Sequence, residues 1–468
     1  IDARDVPGHL RGIIAAMRGP ADALARLERT AHRFDGRETV SQLAEPVRLG
    51  IDLAVRAEGG GLLVSGWLLD PRRLVQSVIL HLGAQATVIS DHWTRSARAD
   101  VAEAFAANPL FHGLSTRGSS GFLAFAPRPA DARPADAYLE LDLGDAHPPS
   151  YYPLAVSELP ARTALTRMLA SIDPRSATAI TAVDRQFGPM LRSVGEHAPR
   201  VVEVIDFGFD DSAPVALIVG LDERAADVAC LLALLALDPA TRSAPIALAG
   251  PADAMNQVSG EIERLAGFYR LAVRLVLADG VEDVFDAQEA GVAATRAGTL
   301  ALLSGDVLPG TREWLAPLLA AHRRPGERVM VSPTILCEDR SVRWAGTWLD
   351  RDDGSPALVN RHLGFPQSAI AGRAPEEIST GTLECCVLSR AAFLAADGFS
   401  RGYLGGAAKN LDMALRIRLA GAAALWLPEV EMLAADDAPD VPAWQLARRI
   451  DRWSFDHRWS LAIANMTR

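Results

Sequence analysis

Apolar and polar positions follow different periods in successive parts of the 468-residue chain. In residues 1–46, apolar side chains from Leu10 to Met17 recur at the spacing of one helix face, which predicts a helical N-terminal segment. In residues 47–146, short alternating runs such as Gly61–Leu69 are separated by Gly and Pro, which is typical of strands. Several strands at this spacing predict an all-β sandwich.

Residues 147–205 return to a helical period, and we interpret them as a helical linker. From residue 206, bounded apolar runs of the kind found in buried parallel strands alternate with helical stretches. The predicted strands are Pro214–Val219, Pro245–Ala249, Val273–Leu277 and Thr299–Leu303, and the predicted helices cover about Ala225–Leu237, Ser259–Tyr269 and Phe285–Ala297. This order predicts an α/β domain with a doubly wound, Rossmann-like sheet over residues 206–437, followed by a helical tail over 438–468.

The composition is that of a folded, acidic protein. Hydrophobic residues make up 49% and charged residues 22%, which excludes wholesale disorder. With 47 Lys and Arg against 58 Asp and Glu, the formal net charge is −11, so no basic field is present to attract nucleic acid. The four cysteines match neither a zinc site nor a disulfide framework, and we interpret them as small buried side chains in a reducing compartment.

The longest apolar runs, Val228–Leu237 and Gly421–Pro428, are shorter than the roughly 20 residues that a membrane-spanning helix needs. We therefore predict no transmembrane segment and a cytoplasmic location. Peripheral contact with the inner membrane and homo-oligomerisation are both left open.

The first candidate for chemistry is an acidic residue behind the last predicted strand. Asp306 follows Thr299–Leu303 within Ser304–Pro309. In open α/β sheets, ligands bind beyond the carboxyl ends of the strands, and a carboxylate there can hold a divalent cation and a diphosphate. The alternative is a loop Asp that caps the next helix.

Further motifs follow Asp306 in a fixed order: Glu338–Gly346, Thr380–Phe393, Asp397–Ser400, Asn410–Gly421 and Leu427–Glu431. Together with Ser304–Pro309, their order and spacing resemble family 2 glycosyltransferases of the GT-A fold, over about Pro214–Asp437. Ser65–Pro71, with the stretch that follows it, resembles a small β-domain found upstream of such transferases in bacteria.

The resemblance implies sugar transfer from a nucleotide-diphosphate sugar to a saccharide or protein acceptor, with inversion, in surface-polysaccharide or glycoconjugate assembly. It implies that Asp306 binds the diphosphate and a divalent cation, Mn or Mg. Asp222 and Asp253, which follow the first two predicted strands, would lie on the nucleotide side. His362 and Arg416 would lie on the acceptor side.

The sequence departs from this family at several positions. The acidic pair that carries the general base is replaced by Lys409-Asn410, and an amide cannot accept a proton at neutral pH. The family histidine aligns with Ala434. Lys409 either contacts the diphosphate, with Asn410 beside it, or is a solvated lysine at a helix start. Asp412 is either a substitute base or a first-turn acid, and Glu384 is a second candidate base.

Two hypotheses other than an active transferase remain, and the first follows from these departures. A catalytically impaired pseudo-glycosyltransferase could act as a binding or scaffold protein. A carbohydrate-binding module would explain only residues 47–146.

Overall fold

The structure is a computed structural model that describes residues 6–20, 23–24, 27, 33–57, 61–83, 85–112, 118–127, 137–144, 147–159, 165, 168–169, 176–193, 198–223, 228–323, 329–352, 355–434 and 442–466. The chain divides into two compact units. Unit 1 is Ile1–Gly195 with Asp440–Trp453, and unit 2 is Glu196–Pro439 with Ser454–Arg468. The five-segment division of the sequence stays a prediction beside these two units.

Unit 1 is built mainly from strands. They are β1 Arg48–Ala57, β2 Leu62–Leu69, β3 Ser77–Leu82, β4 Gln85–Val88, β5 Thr94–Ser96, β6 Gly121–Ala126, β7 Ala137–Asp142, β8 Ser150–Pro153 and β9 Ser157–Leu159. The helices are α1 Val6–Ala16, α2 Ala99–Phe105, α3 Ala177–Ala182 and α4 Gly188–Ser193, with a π-helical turn, Val183–Phe187, between the last two.

These strands form two sheets, in the orders β5-β6-β2-β1-β9 and β4-β3-β7-β8. All neighbours are antiparallel except β1 and β9. Side chains alternate between the two faces along β3 and β7, so Leu80 and Leu139 point to the same face. There they form one buried cluster with Val64 and Ala124 of the other sheet. The two sheets therefore bury one apolar core, while the assignment of a sandwich fold stays a prediction.

Unit 2 alternates strands and helices. Its strands are β10 Arg200–Phe207, β11 Val215–Gly220, β12 Ile246–Pro251, β13 Val273–Asp279, β14 Thr299–Ser304, β15 Val307–Pro309, β16 Val329–Leu336, β17 Val342–Trp344, β18 Trp348–Asp352, β19 Ser355–Val359, β20 Glu376–Ile378, β21 Cys385–Ser389 and β22 Ala423–Ala434. Its helices are α5 Val228–Leu237, α6 Pro239–Ser243, α7 Ala252–Tyr269, α8 Val284–Ala293, α9 Leu315–His322, α10 Arg390–Ala395 and α11 Gly406–Leu419; α12, Pro442–Met466, contributes residues to both units.

The central sheet of unit 2 runs in the order β10-β13-β12-β11-β14-β21-β16-β22-β15. The strands from β13 to β14 are parallel, as the apolar runs predict. Leu217 and Ile218 of β11 pair with Ala301 and Leu302 of β14, and all four are fully buried. The predicted core is thus confirmed, within a mixed α/β fold that contains several sheets.

Several predicted elements differ from the observed ones. The sheet is mixed, because β10 and β21 run antiparallel to their neighbours. Helix α7 begins at Ala252, seven residues before the predicted start, and Pro251 occupies its N-cap position. The interval 147–205 is not wholly helical, since β8 and β9 lie within it and β10 begins there. No helix among the described residues is long and apolar enough to cross a bilayer.

Candidate functional site

Three of the predicted acidic residues follow adjacent parallel strands. Asp222 comes after β11, Asp253 lies in the first turn of α7 after β12, and Asp306 comes after β14. Since β12, β11 and β14 are parallel neighbours, their carboxyl ends meet at one edge of the sheet. Asp253 and Asp306 are exposed there and Asp222 is half-buried. The topology therefore brings these three positions to a common edge.

A tight turn presents Asp306 between β14 and β15. The N–H of Gly305 donates to the carbonyl of Gly220 at 2.7 Å. A Cβ at Gly305 would come within 2.6 Å of Leu221 Cδ2 and 3.0 Å of the Gly220 carbonyl oxygen, so a larger residue would displace the Leu221 side chain. Asp306 is therefore held at the rim of the buried sheet by the packing of the preceding residue.

Glu384 lies at the same edge, because β21 is the antiparallel neighbour of β14. The N–H of Ser304 donates to the carbonyl of Glu384 at 2.7 Å. Arg343, in β17, donates through Nη2 to Glu384 Oε1 at 2.8 Å. Asp306 is near enough to influence Glu384 electrostatically. We call Asp306, Arg343 and Glu384 the edge cluster.

The environment raises the pKa of Glu384. Burial is the largest cause, because it disfavours the charged carboxylate, and the negative charge of Asp306 acts in the same direction. The Arg343 guanidinium opposes both effects. A carboxylate that is more basic than usual and lies at the sheet edge is a candidate for a general base.

Lys409 is buried and is not a solvated lysine. Its side chain is 2% exposed, and its ammonium contacts Asp283 at 2.8 Å and Asp286 at 2.6 Å. Arg401 also pairs with Asp286, whose side chain is fully buried. Burial lowers the pKa of Lys409, and the charge of Asp283 opposes that shift. The single lysine of the chain thus joins α11 to α8 through an interior ion-pair network, and its contact with a diphosphate stays an untested prediction.

Asn410 makes hydrogen bonds with the segment that precedes β21. Its Oδ1 accepts from the N–H of Leu383 at 2.7 Å, and its Nδ2 donates to Thr382 Oγ1 at 2.9 Å. Both partners lie immediately before Glu384. The position that carries the base in the resembling family is therefore connected, in this chain, to the loop that carries Glu384.

Asp412 lies within a dense set of hydrogen-bond donors. Tyr403 donates to Oδ1 at 3.0 Å, and Trp459 Nε1 donates to Oδ1 at 2.7 Å. Arg416 Nε donates to Oδ2 at 2.8 Å, and Arg458 lies 3.4 Å from Oδ1. The carboxylate is fully buried. It joins α11 to the C-terminal part of α12, and the predicted acceptor-side Arg416 is one of its partners.

His362 lies in a turn and packs among aromatic rings. Its ring centre is 5.3 Å from that of Trp348 and 5.8 Å from that of Trp426, and the residue is 9% exposed. Burial lowers the pKa of His362, with Arg373 acting in the same direction. Its acceptor-side role stays a prediction beside this packing role.

Ala434, which aligns with a histidine of the resembling family, lies close to Asp306 and has no side-chain atom that could bind a metal. Ala434 pairs with Val307, the residue that follows Asp306. Among the described residues, no group of three or more His, Cys, Asp or Glu side chains could hold a metal ion. Asp306 is the exposed carboxylate of the edge cluster, and proteins commonly hold a cation such as Mg²⁺ through one or two carboxylates plus substrate phosphates.

Sequence reasoning missed Arg343 and Gln288. Arg343 stands in the Glu338–Gly346 motif, but only the pairing of β17 with β16 carries it to the edge. Gln288 is buried within α8 and donates to the carbonyl of Leu383 at 3.1 Å, 95 residues away. A polar residue on an otherwise apolar helix face was the available signal for Gln288.

Comparison with known proteins finds distant similarities. No protein-family model matches the chain. Uncharacterized protein y4gI of Sinorhizobium fredii is 26% identical over 147 residues, which cover 31% of this chain and 16% of that protein.

Three similar solved structures each hold a nucleotide or a nucleotide sugar. GalNAc-T7 with UDP, GalNAc and Mn²⁺ has 13% identity and a TM-score of 0.39, over 51% of this chain and 47% of that one. The mannosyltransferase PcManGT of Pyrobaculum calidifontis, with GDP-Man and Mn²⁺, has 14% identity and a TM-score of 0.36, over 65% and 85%. S. aureus TarS 1-349 with UDP-GlcNAc has 12% identity and a TM-score of 0.33, over 51% and 65%. At these values, function is inferred from this chain's own residues.

Proposed function

We propose that residues 206–437 form a GT-A glycosyltransferase domain that transfers a sugar from a nucleotide-diphosphate sugar to a saccharide or protein acceptor, with inversion. The observation that carries the proposal is the edge cluster, in which Glu384 lies beside Arg343 and within electrostatic reach of Asp306. The motif order of the sequence supports the same function. Surface-polysaccharide or glycoconjugate assembly, at or near the inner face of the inner membrane, is the proposed setting.

Glu384 is the proposed general base. It takes the proton of the acceptor hydroxyl while that oxygen attacks the anomeric carbon, and the bond from this carbon to the diphosphate oxygen breaks. Its raised pKa makes the carboxylate a stronger proton acceptor than an ordinary Glu. Arg343 holds one carboxylate oxygen and so fixes the direction of the other.

Asp306 is the proposed ligand on the donor side. A bound Mn²⁺ or Mg²⁺ would neutralise charge that develops on the leaving diphosphate. Asp306 would hold that cation together with diphosphate oxygens, while Asp222 and Asp253, at the neighbouring strand ends, would face the nucleotide. Asp412 is not assigned a catalytic role, because its carboxylate is buried among four donors.

Calorimetry with UDP-, GDP- and dTDP-sugars, with and without Mn²⁺, tests the donor site, and nucleotide release tests turnover. Asp306→Asn should abolish the metal-dependent binding. Glu384→Gln should keep the binding and slow turnover by about 10²–10⁴-fold, the usual effect of losing a general base.

Matched controls are available on the same unit. Glu377→Gln and Asp350→Asn change exposed carboxylates that pair with surface arginines, and both variants should behave as the native protein. Native-level turnover in Glu384→Gln would remove Glu384 from the mechanism. Absence of binding to every nucleotide sugar would contradict the transferase.

The second candidate function is that of a pseudo-glycosyltransferase that binds a ligand without turnover. It is favoured by the amide of Asn410 and the methyl group of Ala434 at two positions where the resembling family has catalytic side chains. Nucleotide-sugar binding without nucleotide release, in native protein and in Glu384→Gln alike, would support this candidate.

A further inference from the structure

The segment that precedes β21 is irregular in backbone and deeply buried. Thr380, Thr382 and Leu383 are all 0% exposed. Irregular backbone is seldom buried, because its N–H and C=O groups have no regular partners there. The segment leads directly into Glu384, so the way in which it is held decides where that carboxylate lies.

Both main-chain polar groups of Leu383 are bound by amide side chains from two different helices. The N–H donates to Asn410 Oδ1 of α11 at 2.7 Å. The carbonyl accepts from Gln288 Nε2 of α8 at 3.1 Å. Gln288 is fully buried, so this fixation takes place away from solvent, where hydrogen bonds are strong and costly to lose.

The residues on either side are held as well. Thr382 exchanges hydrogen bonds with the hydroxyl of Ser332, whose oxygen lies 3.2 Å from the Thr382 nitrogen and 3.3 Å from its carbonyl oxygen. Thr382 Oγ1 accepts from Asn410 Nδ2 at 2.9 Å and from the N–H of Glu384 at 3.3 Å. The carbonyl of Glu384 accepts from Ser304. Every main-chain polar group from Thr382 to Glu384 therefore has a partner.

We infer that Asn410 is a positioning residue for Glu384: its amide binds Leu383 directly and the N–H of Glu384 through Thr382, and so directs the Glu384 carboxylate toward Arg343. The inference rests on the proposed function for its catalytic consequence. Asn410 accepts from Leu383 and donates to Thr382. An aspartate at this position could also accept from Leu383, and it could keep the second contact only with the Thr382 hydroxyl as the donor.

The test uses the full-length protein and three variants. Asn410→Ala removes both hydrogen bonds, Asn410→Asp keeps the acceptor for Leu383, and Thr382→Val removes the hydroxyl that links Asn410 to Glu384. Amide hydrogen exchange at Leu383 reports the clamp without any need for activity. The kcat and KM for donor turnover report its catalytic effect.

For Asn410→Ala, we expect faster exchange at Leu383 and a kcat lower by about 10²-fold with little change in donor KM, since a displacement of about 1 Å has that effect. Asn410→Asp should restore the Leu383 protection and part of kcat. Thr382→Val should lower kcat while it retains the Leu383 bond, and it serves as the informative variant if Asn410→Ala does not fold.

Gln186→Ala is the matched control. Gln186 is a fully buried amide in unit 1 that accepts from the N–H of Phe125 at 2.6 Å and donates to the carbonyl of His92 at 2.7 Å. It should change stability without changing kcat.

Unchanged Leu383 exchange in Asn410→Ala, or unchanged kcat in an active enzyme despite faster exchange, would overturn the inference. Turnover above the native rate in Asn410→Asp would also overturn it, because position 410 would then act as the base. A native protein without turnover overturns the proposed function instead, and the exchange measurement still decides whether Asn410 holds the segment.

Discussion

Asn410 and Asp412 are two residues apart on α11 and serve different neighbours. Residues two apart on a helix point about 200° away from each other. Asn410 accordingly contacts Leu383 and Thr382, and Asp412 contacts Tyr403 and Trp459. With α11 running from Gly406, Asp412 lies well inside the helix and does not occupy a first irregular turn. Two residues that are close in sequence therefore contact different segments of the fold.

The isosteric change Asp412→Asn distinguishes a structural role of Asp412 from a catalytic one. The amide keeps a hydrogen-bond acceptor for Tyr403 and Trp459 but loses the charge that faces Arg416 and Arg458. We expect a free energy of unfolding lower by about 1.5–3 kcal/mol, the worth of a hydrogen bond to a charged group. Urea titration measures it, with Asp350→Asn as the surface control. Turnover per folded molecule should not change, and a large loss of turnover would return Asp412 to the mechanism.

The pH dependence of stability reports the environment of Glu384. Because its pKa is raised in the folded state, the folded protein binds more protons than the unfolded chain between the ordinary Glu pKa and the raised one. In that window the contribution of Glu384 to stability falls as pH rises. The stability of Glu384→Gln relative to the native protein should therefore increase from acid to neutral pH.

Urea titrations at a series of pH values measure this difference, and Glu377→Gln is the control with an exposed carboxylate. A stability difference that stays constant across the acid range would contradict a raised pKa. The same pKa should appear as the acid limb of kcat/KM, since only the deprotonated carboxylate accepts a proton.

The sequence predicted that Asp306 lies at the sheet edge, but it did not predict the partners of the ionic residues. Asp306 follows a strongly apolar strand, and that pattern is sufficient to place it at the sheet edge. Lys409 looked solvated because its neighbours in sequence are small or polar, whereas Asp286 is 123 residues away. Contacts between residues so far apart in sequence depend on the packing of α8 against α11, and the hydrophobic periodicity of the sequence does not specify that packing.

At the scale of elements, buried strands were predictable and edge strands were not. The apolar run of β11 is buried at every residue and stands out from its surroundings. Strand β10 lies at the end of the sheet, and Val202 and Val204 are exposed among charged residues. Its alternation is further broken by a register shift between Val201 and Glu203. An edge strand of this kind gives no bounded apolar signal.

The ion-pair network between α8 and α11 predicts a large stability effect. Asp286→Asn leaves Lys409 and Arg401 without their fully buried partner. Removing one member of a buried ion pair typically costs about 3–5 kcal/mol, because the remaining charge stays desolvated. Guanidinium titration should show that loss. Glu261→Gln, which breaks an exposed pair with Arg264 on α7, should change stability by no more than about 1 kcal/mol.

Lys409→Glu should be worse than Asp286→Asn, because it adds a carboxylate beside Asp283 and Asp286. Restoring the family acid at position 409 therefore cannot serve as a gain-of-function test in this chain. A stable, folded Lys409→Glu variant would contradict the buried network.

At the scale of the whole molecule, the chain consists of two units with separate cores. One core joins the two sheets of unit 1, and the others follow the central sheet of unit 2. The change from short alternating strands to bounded apolar runs indicates this division in the sequence. Residues 440–453 belong to unit 1, and this was not predictable. The hydrophobic periodicity of a helix shows which of its faces is buried, but not which part of the protein that face packs against.

Calorimetric melting with and without donor should locate ligand binding in one unit. We expect two transitions, since chains with separate cores commonly depart from two-state unfolding. Asp286→Asn should lower the transition of unit 2, and Gln186→Ala should lower that of unit 1, so each transition can be assigned before ligand is added. A nucleotide sugar with Mn²⁺ at 100 times its Kd stabilises the unit that binds it by about 2.7 kcal/mol. Only the temperature of the transition that Asp286→Asn lowers should increase on ligand addition, and Asp306→Asn should abolish that increase.

An increase confined to the other transition would place the ligand in unit 1 and favour the carbohydrate-binding alternative for residues 47–146.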